Sequence, residues 1–169
     1  MAAVLVGTAT FGFADGGGAG HNCDFGSVPA LGQTDIICVN SDATVALPVD
    51  PTGGAVFVLR RQEVTNQGAY IYSRKATGGE GQTVTITTGA NTNASVIQSR
   101  WANVNAFETS NGAQINGSVG MAMPAVASGV LAETNELAIA FGANHNFATT
   151  PNTPVWGGGF SPLATEDNG

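Results

Sequence analysis

Polar and apolar residues alternate with a period of two along much of this chain, the spacing of a strand with one buried and one wet face. Thr83-Val84-Thr85-Ile86-Thr87 is the clearest stretch, with Val84 and Ile86 pointing one way and the threonines the other. Gly54-Ala55-Val56-Phe57-Val58-Leu59 and Ala69-Tyr70-Ile71-Tyr72 have strand composition. The stretch between them, Gln62 to Gly68, ends in Asn66-Gln67-Gly68 and predicts a hairpin loop. Further strands are predicted over Val4 to Phe13, Asp35 to Asn40, Thr44 to Leu47, Ala94 to Val104, Val119 to Ala122, Ser128 to Leu131, Glu136 to Phe141 and near Phe147. About ten short strands divided by turn signals is the pattern of sandwiches and barrels. No window carries a sustained i, i+3, i+4 apolar stripe, so helix is expected only as one turn near Ala132 to Asn135. The expected fold class is all-β, a single jelly-roll-like β-sandwich with long glycine-rich loops.

Composition sharpens this picture. The chain has 169 residues, enough for one domain that buries its own core, and no boundary divides it. The expected domain is 1–169, with flexible segments over 14–24 and 151–169, where Gly16-Gly17-Gly18 and Gly157-Gly158-Gly159 fall. No fixed-period repeat points to a solenoid or propeller. Only 10% of residues are charged, so Thr, Asn, Ser and Gln carry most of the polar character. One lysine (Lys75) and four arginines (Arg60, Arg61, Arg74, Arg100) stand against twelve acids, a net charge of -7. Such a surface repels phosphate backbones, and no nucleic-acid partner is expected. The apolar opening Met1-Ala2-Ala3-Val4-Leu5-Val6 lacks a basic flank and is interrupted at Gly7. It predicts a chain made without secretion, and no apolar run is long enough for a membrane partner.

Candidate chemistry is sparse. A disulfide between Cys23 and Cys38 could span the Gly/Pro-containing stretch separating them, although two free thiols are the expectation for a chain matured in a cytosol. His21, Cys23 and Asp24 lie close in sequence, but a zinc site needs a further ligand that no spacing motif places, so no metal is expected. His145 reads as a solvated loop residue. Glycosidase chemistry needs two carboxyls about 5 to 10 Å apart. Glu63, Glu80 and Glu108 could supply them, but Glu63 falls in the predicted hairpin loop and Glu80 between glycines, so both read as solvated turn residues. There is no Gly-x-Ser-x-Gly elbow, and Gly16-Gly17-Gly18-Ala19-Gly20 lacks the Lys and Ser/Thr of a phosphate-binding loop. No catalytic or cofactor-binding residue is therefore expected, nor any cofactor. Trp101, inside a predicted strand, reads as a core anchor with its N–H bonded to backbone, whereas Trp156 beside Gly157 reads as a loop contact residue. Asn93-Ala94-Ser95 and Asn116-Gly117-Ser118 match the glycosylation pattern by chance if the chain is not secreted.

The strand order resembles a family of jelly-roll-like domains in tailed-bacteriophage structural proteins. Val6-Gly7-Thr8-Ala9-Thr10 stands as the opening strand. The run Leu31 to Asp42, with Asp35-Ile36-Ile37-Cys38-Val39 at its centre, is similar to the family's Gly-Asp-x-Leu-Leu strand. Pro51-Thr52-Gly53-Gly54 stands where the family has Pro-x-Gly-Trp, Gly54 replacing the tryptophan. Tyr70-Ile71-Tyr72-Ser73-Arg74-Lys75-Ala76 looks like its Tyr-Tyr-(Arg/Lys) strand, Glu80 and Gln82 to Ile86 complete that block, and Glu136 to Ala143 resembles its later apolar strand. The resemblance implies a non-enzymatic virion protein, assembled in the host cytoplasm, with capsid decoration or cement protein as the leading reading. Its partners would be the major capsid protein or other virion subunits, and it would form a homo-oligomer such as a trimer. Such domains add further strands beyond the point matching Gly169, so the resemblance implies a sheet edge that is open, covered by a neighbouring subunit, or simply short. The alternatives are a tail-associated module binding glycan or receptor and, further off, a carbohydrate-active enzyme.

Overall fold

A computed structural model describes residues 1–14, 20–41, 43–64, 68–89, 94–104 and 137–141. Among them there is no helix, and all strand pairing is antiparallel in two sheets. The strands are β1 (Val4–Leu5), β2 (Thr10–Ala14), β3 (His21–Asp24), β4 (Thr34–Ser41), β5 (Val58–Val64), β6 (Gly68–Lys75), β7 (Thr83–Ile86) and β8 (Ala94–Ala102). The large sheet runs β1-β8-β4-β6-β5, with β2 also on the outer side of β8, and β3 pairs β7 in the small sheet. Residues 44–49 follow the other side of β7 through bridges Val45 to Thr88 and Val49 to Thr85.

β4 is the middle of the large sheet because both its faces are covered. Its run Asp35-Ile36-Ile37-Cys38-Val39 is buried throughout, and a continuous apolar run suits a strand with no wet face. Ile37 and Val39 join Tyr70, Tyr72, Val84, Ile86, Val96, Phe57 and Cys23 in the larger core cluster, which unites the two sheets. Ile36, Cys38 and Trp101 lie on the opposite face, where Leu5, Ile71, Ile97, Leu137 and Phe141 pack against them.

Several expectations are corrected in detail. The strand predicted over Val4 to Phe13 is two strands, because the register on β8 shifts by two residues between Leu5 and Thr10, around Gly7 at φ +77°. Part of the loop expected over 14–24 is strand instead: Ala14 closes β2, and His21–Asp24 form β3 with Cys23 fully buried, while 15–19 lie outside the described residues. The hairpin is present, but its strands reach from Val58 to Val64 and from Gly68 to Lys75, so Glu63 is in a strand rather than a loop. Thr44 to Leu47 contributes only an isolated bridge at Val45, and residues 137–141 pack without forming a strand. The strands predicted over Val119 to Ala122, Ser128 to Leu131 and near Phe147, the turn near Ala132, and the segment 151–169 lie outside the described residues.

Candidate functional site

Antiparallel register places one residue from each of three neighbouring strands in a row across the large sheet, on one face. At the end where β4 begins, Asp35 stands opposite Arg74 of β6 on one side and Arg100 of β8 on the other. All three are 1% exposed, so the carboxylate lies between two guanidinium groups out of water. Arg74 Nε donates to Asp35 Oδ2 at 3.0 Å, Arg100 Nε to Oδ1 at 2.6 Å and Arg100 Nη2 to Oδ2 at 3.3 Å. Each arginine also lies over an aromatic ring, Arg74 4.7 Å from the Phe57 centroid and Arg100 4.8 Å from Phe25.

The row reaches into the loops above it. Arg74 Nη1 donates to Asp50 Oδ2 at 2.7 Å, and Arg100 Nη1 donates to the Ser27 carbonyl. Asp50 in turn accepts from the backbone N–H of Thr52 at 2.9 Å and of Gly81 at 2.7 Å. Burial opposes charge on Asp50, but the Thr52 hydroxyl, Arg74 and these N–H groups hold its carboxyl down to about 2. Glu80 closes the network: Oε1 accepts from the N–H of Ala55 (2.9 Å) and Thr77 (2.8 Å), and Oε2 from that of Gly78 (2.8 Å). Burial again works against the charge, and the backbone donors outweigh it, keeping Glu80 at about 2. Gly54 explains itself here. Its φ is +84° and a Cβ would lie 2.6 Å from Glu80 Cγ, so no side chain fits where the resembled family has tryptophan.

Loops 25–33, 50–57 and 76–82 therefore meet at one end of the molecule, each tied from beneath by a buried charge. The backbone adds Gly32 N–H to Ala76 O (2.9 Å), Ala76 N–H to Gln33 O (2.8 Å) and Phe25 N–H to Gln82 O (3.1 Å). Outward, the same loops present Val28, Leu31 and Val56, 63%, 78% and 78% exposed.

The residues singled out by sequence fare differently. Glu80 is not a solvated turn residue but a buried one that organises two loops, because three backbone donors converge where the chain turns through Gly78 and Gly79. Glu63 pairs with Arg61 on β5, and Glu108 lies outside the described residues. His21, Cys23 and Asp24 do not converge: Cys23 is in the core, and exposed Asp24 accepts from Gly26 N–H at 2.7 Å and Gln82 Nε2 at 2.8 Å. Among the described residues no three His, Cys, Asp or Glu could hold a metal. Cys23 and Cys38 are free thiols in clusters on opposite faces of the large sheet, each pushed up to about 12 by burial. Trp101 is a core anchor, with Nε1 donating to the Ser99 hydroxyl at 2.9 Å rather than to backbone. His145 and Trp156 lie outside the described residues. Arg74 and Arg100, placed by sequence in strands and in the charge count but in no site, are the missed residues. The one sequence signal is the shared Ser-Arg of Ser73-Arg74 and Ser99-Arg100 near the ends of two strands. No protein-family model, curated protein or solved structure matches the chain.

Proposed function

We propose that this chain is a non-enzymatic structural protein of a bacteriophage virion, a jelly-roll-like sandwich that decorates the capsid and docks on other virion subunits through its loop end. The carrying observation is that the buried charges of that end are spent on holding three loops, while Val28, Leu31 and Val56 face outward. Loops held before contact lose little freedom on binding, and exposed apolar side chains gain from burial in a partner. Glu80 accepts from three backbone donors and stays ionised, which suits a fastener and not a proton donor. The phage setting, the major capsid protein as partner, homo-oligomerisation and assembly in the host cytoplasm rest on the strand-order resemblance. Weak contacts repeated over a lattice give strong attachment, which suits a small subunit present in many copies.

Co-sedimentation of the purified chain with separated phage heads and separated tails tests the proposal. Binding to heads, weakened tenfold or more by Leu31→Asp with Val56→Asp, is expected. Binding to tails alone would favour a receptor- or glycan-binding module, and binding to neither would remove the virion assignment.

A further inference from the structure

The outer strand β5 carries a charge pattern complementary to itself. Among the described residues β5 is the last strand of the large sheet, paired with β6 on one side. Its regular part follows a bulge between Leu59 and Arg61, with Arg61 opposite Ile71, Gln62 opposite Tyr70, Glu63 opposite Ala69 and Val64 opposite Gly68. Tyr70 belongs to the core between the sheets and Ile71 packs on the other face, so Arg61 and Glu63 share that second face with Ile71. They form an ion pair with each other and are partly exposed, while Val58 and Val64 along the same strand are 44% and 49% exposed.

From this pattern we infer that β5 is a self-association edge, where a second copy of the chain pairs antiparallel across a two-fold axis at Gln62. Such an axis stands normal to the continued sheet and sets each residue opposite one on the same face. Within the regular stretch, centring on Arg61 opposes two arginines and centring on Glu63 opposes two glutamates. Centring on Gln62 crosses Arg61 of each copy with Glu63 of the other and sets two amides, each donor and acceptor, face to face. Opposite charges directly across a strand pair stabilise it and like charges oppose it, so the pattern selects one register. The bulge at Leu59/Arg61 keeps the paired stretch short, as proteins with sheet edges commonly do. This inference deepens the subunit-contact role proposed above by naming a like partner, and implies a two-fold pair rather than the trimer suggested by resemblance.

Sedimentation equilibrium of the full chain over a concentration series, without any virion component, tests it independently of capsid binding. A monomer–dimer equilibrium is expected. Arg61→Glu alone and Glu63→Arg alone should each lose the dimer, and an equimolar mixture of the two should regain it, because the mixed pair restores both crossed contacts. Both variants break the ion pair within the chain, so recovery in the mixture reports contacts between chains only, and thermal melts confirm that each variant is folded. A wild-type chain monomeric throughout, or a mixture as monomeric as its components, would overturn the inference while leaving capsid docking by the loop end standing.

Discussion

A carboxylate held between two guanidinium groups away from water is far more costly to break than to have formed. Removing the Asp35 side chain leaves two guanidinium groups buried side by side, Arg74 with Asp50 as its carboxylate partner and Arg100 with the carboxylate it shared gone. Asp35→Ala is therefore expected to cost about 3–5 kcal/mol in chemical denaturation, the range for stranding a buried charge. Glu63→Gln, at a partly exposed ion pair, should cost no more than about 1 kcal/mol. The contrast is a matter of solvent: water screens and replaces the partner of Glu63 but cannot reach Arg74 or Arg100. None of this was visible residue by residue, since an Asp and two Arg spread between positions 35 and 100 fall in three separate predicted strands with nothing local to say that the three meet. Glu80 misled for the same reason, because flanking glycines signal a turn without revealing that the turn folds its donors inward.

Strands with apolar character were legible where burial is one-sided or complete. Val84 and Ile86 are buried as their alternation predicts, and the apolar run of β4 is the centre of the large sheet. β3 escaped notice because His21-Asn22-Cys23-Asp24 is polar except for Cys23; its pairing with β7, not its composition, makes it a strand. Residues 44–47 show the opposite case, a strand-like composition that forms only one isolated bridge, from Val45 to Thr88 just beyond β7. Amide hydrogen exchange should follow this order. The amides of β4, flanked by β6 and β8 and covered on both faces, are expected to exchange slowest, at the free energy of global unfolding, and those of two-residue β1 fastest among the strands. Equal protection of β1 and β4 would contradict the central position of β4.

At the level of the whole molecule, the loop end links stability to pH. Asp50 and Glu80 are held at about 2, below the unfolded values of roughly 3.9 and 4.3, so the native state favours their ionised forms. Their contribution is present in full above the unfolded values and is lost as pH falls through about 4 toward 2. His21, lowered by burial, acts in the same direction from near pH 6.5 downward, because the unfolded chain takes up its proton more readily. Thermal stability is thus expected to fall in two stages on acidification, a shallow one below about pH 6.5 and a steep one below about pH 4. Glu80→Gln should flatten the second, as read by calorimetry across a pH series.

By itself the sequence determined the all-β class, the main strands and the β5–β6 hairpin, since period-two alternation and turn residues are local signals that pairing only has to obey. Only the tertiary structure decided which strands became neighbours, and with that which charges met. Register across β6, β4 and β8 brought Arg74, Asp35 and Arg100 into one row, and the loops carrying Phe25, Ser27, Asp50 and Phe57 closed over that row and removed the water that would have made it unimportant. Electrostatic strength depends on distance and on the surrounding medium, and both are properties of the packed molecule rather than of any stretch of chain.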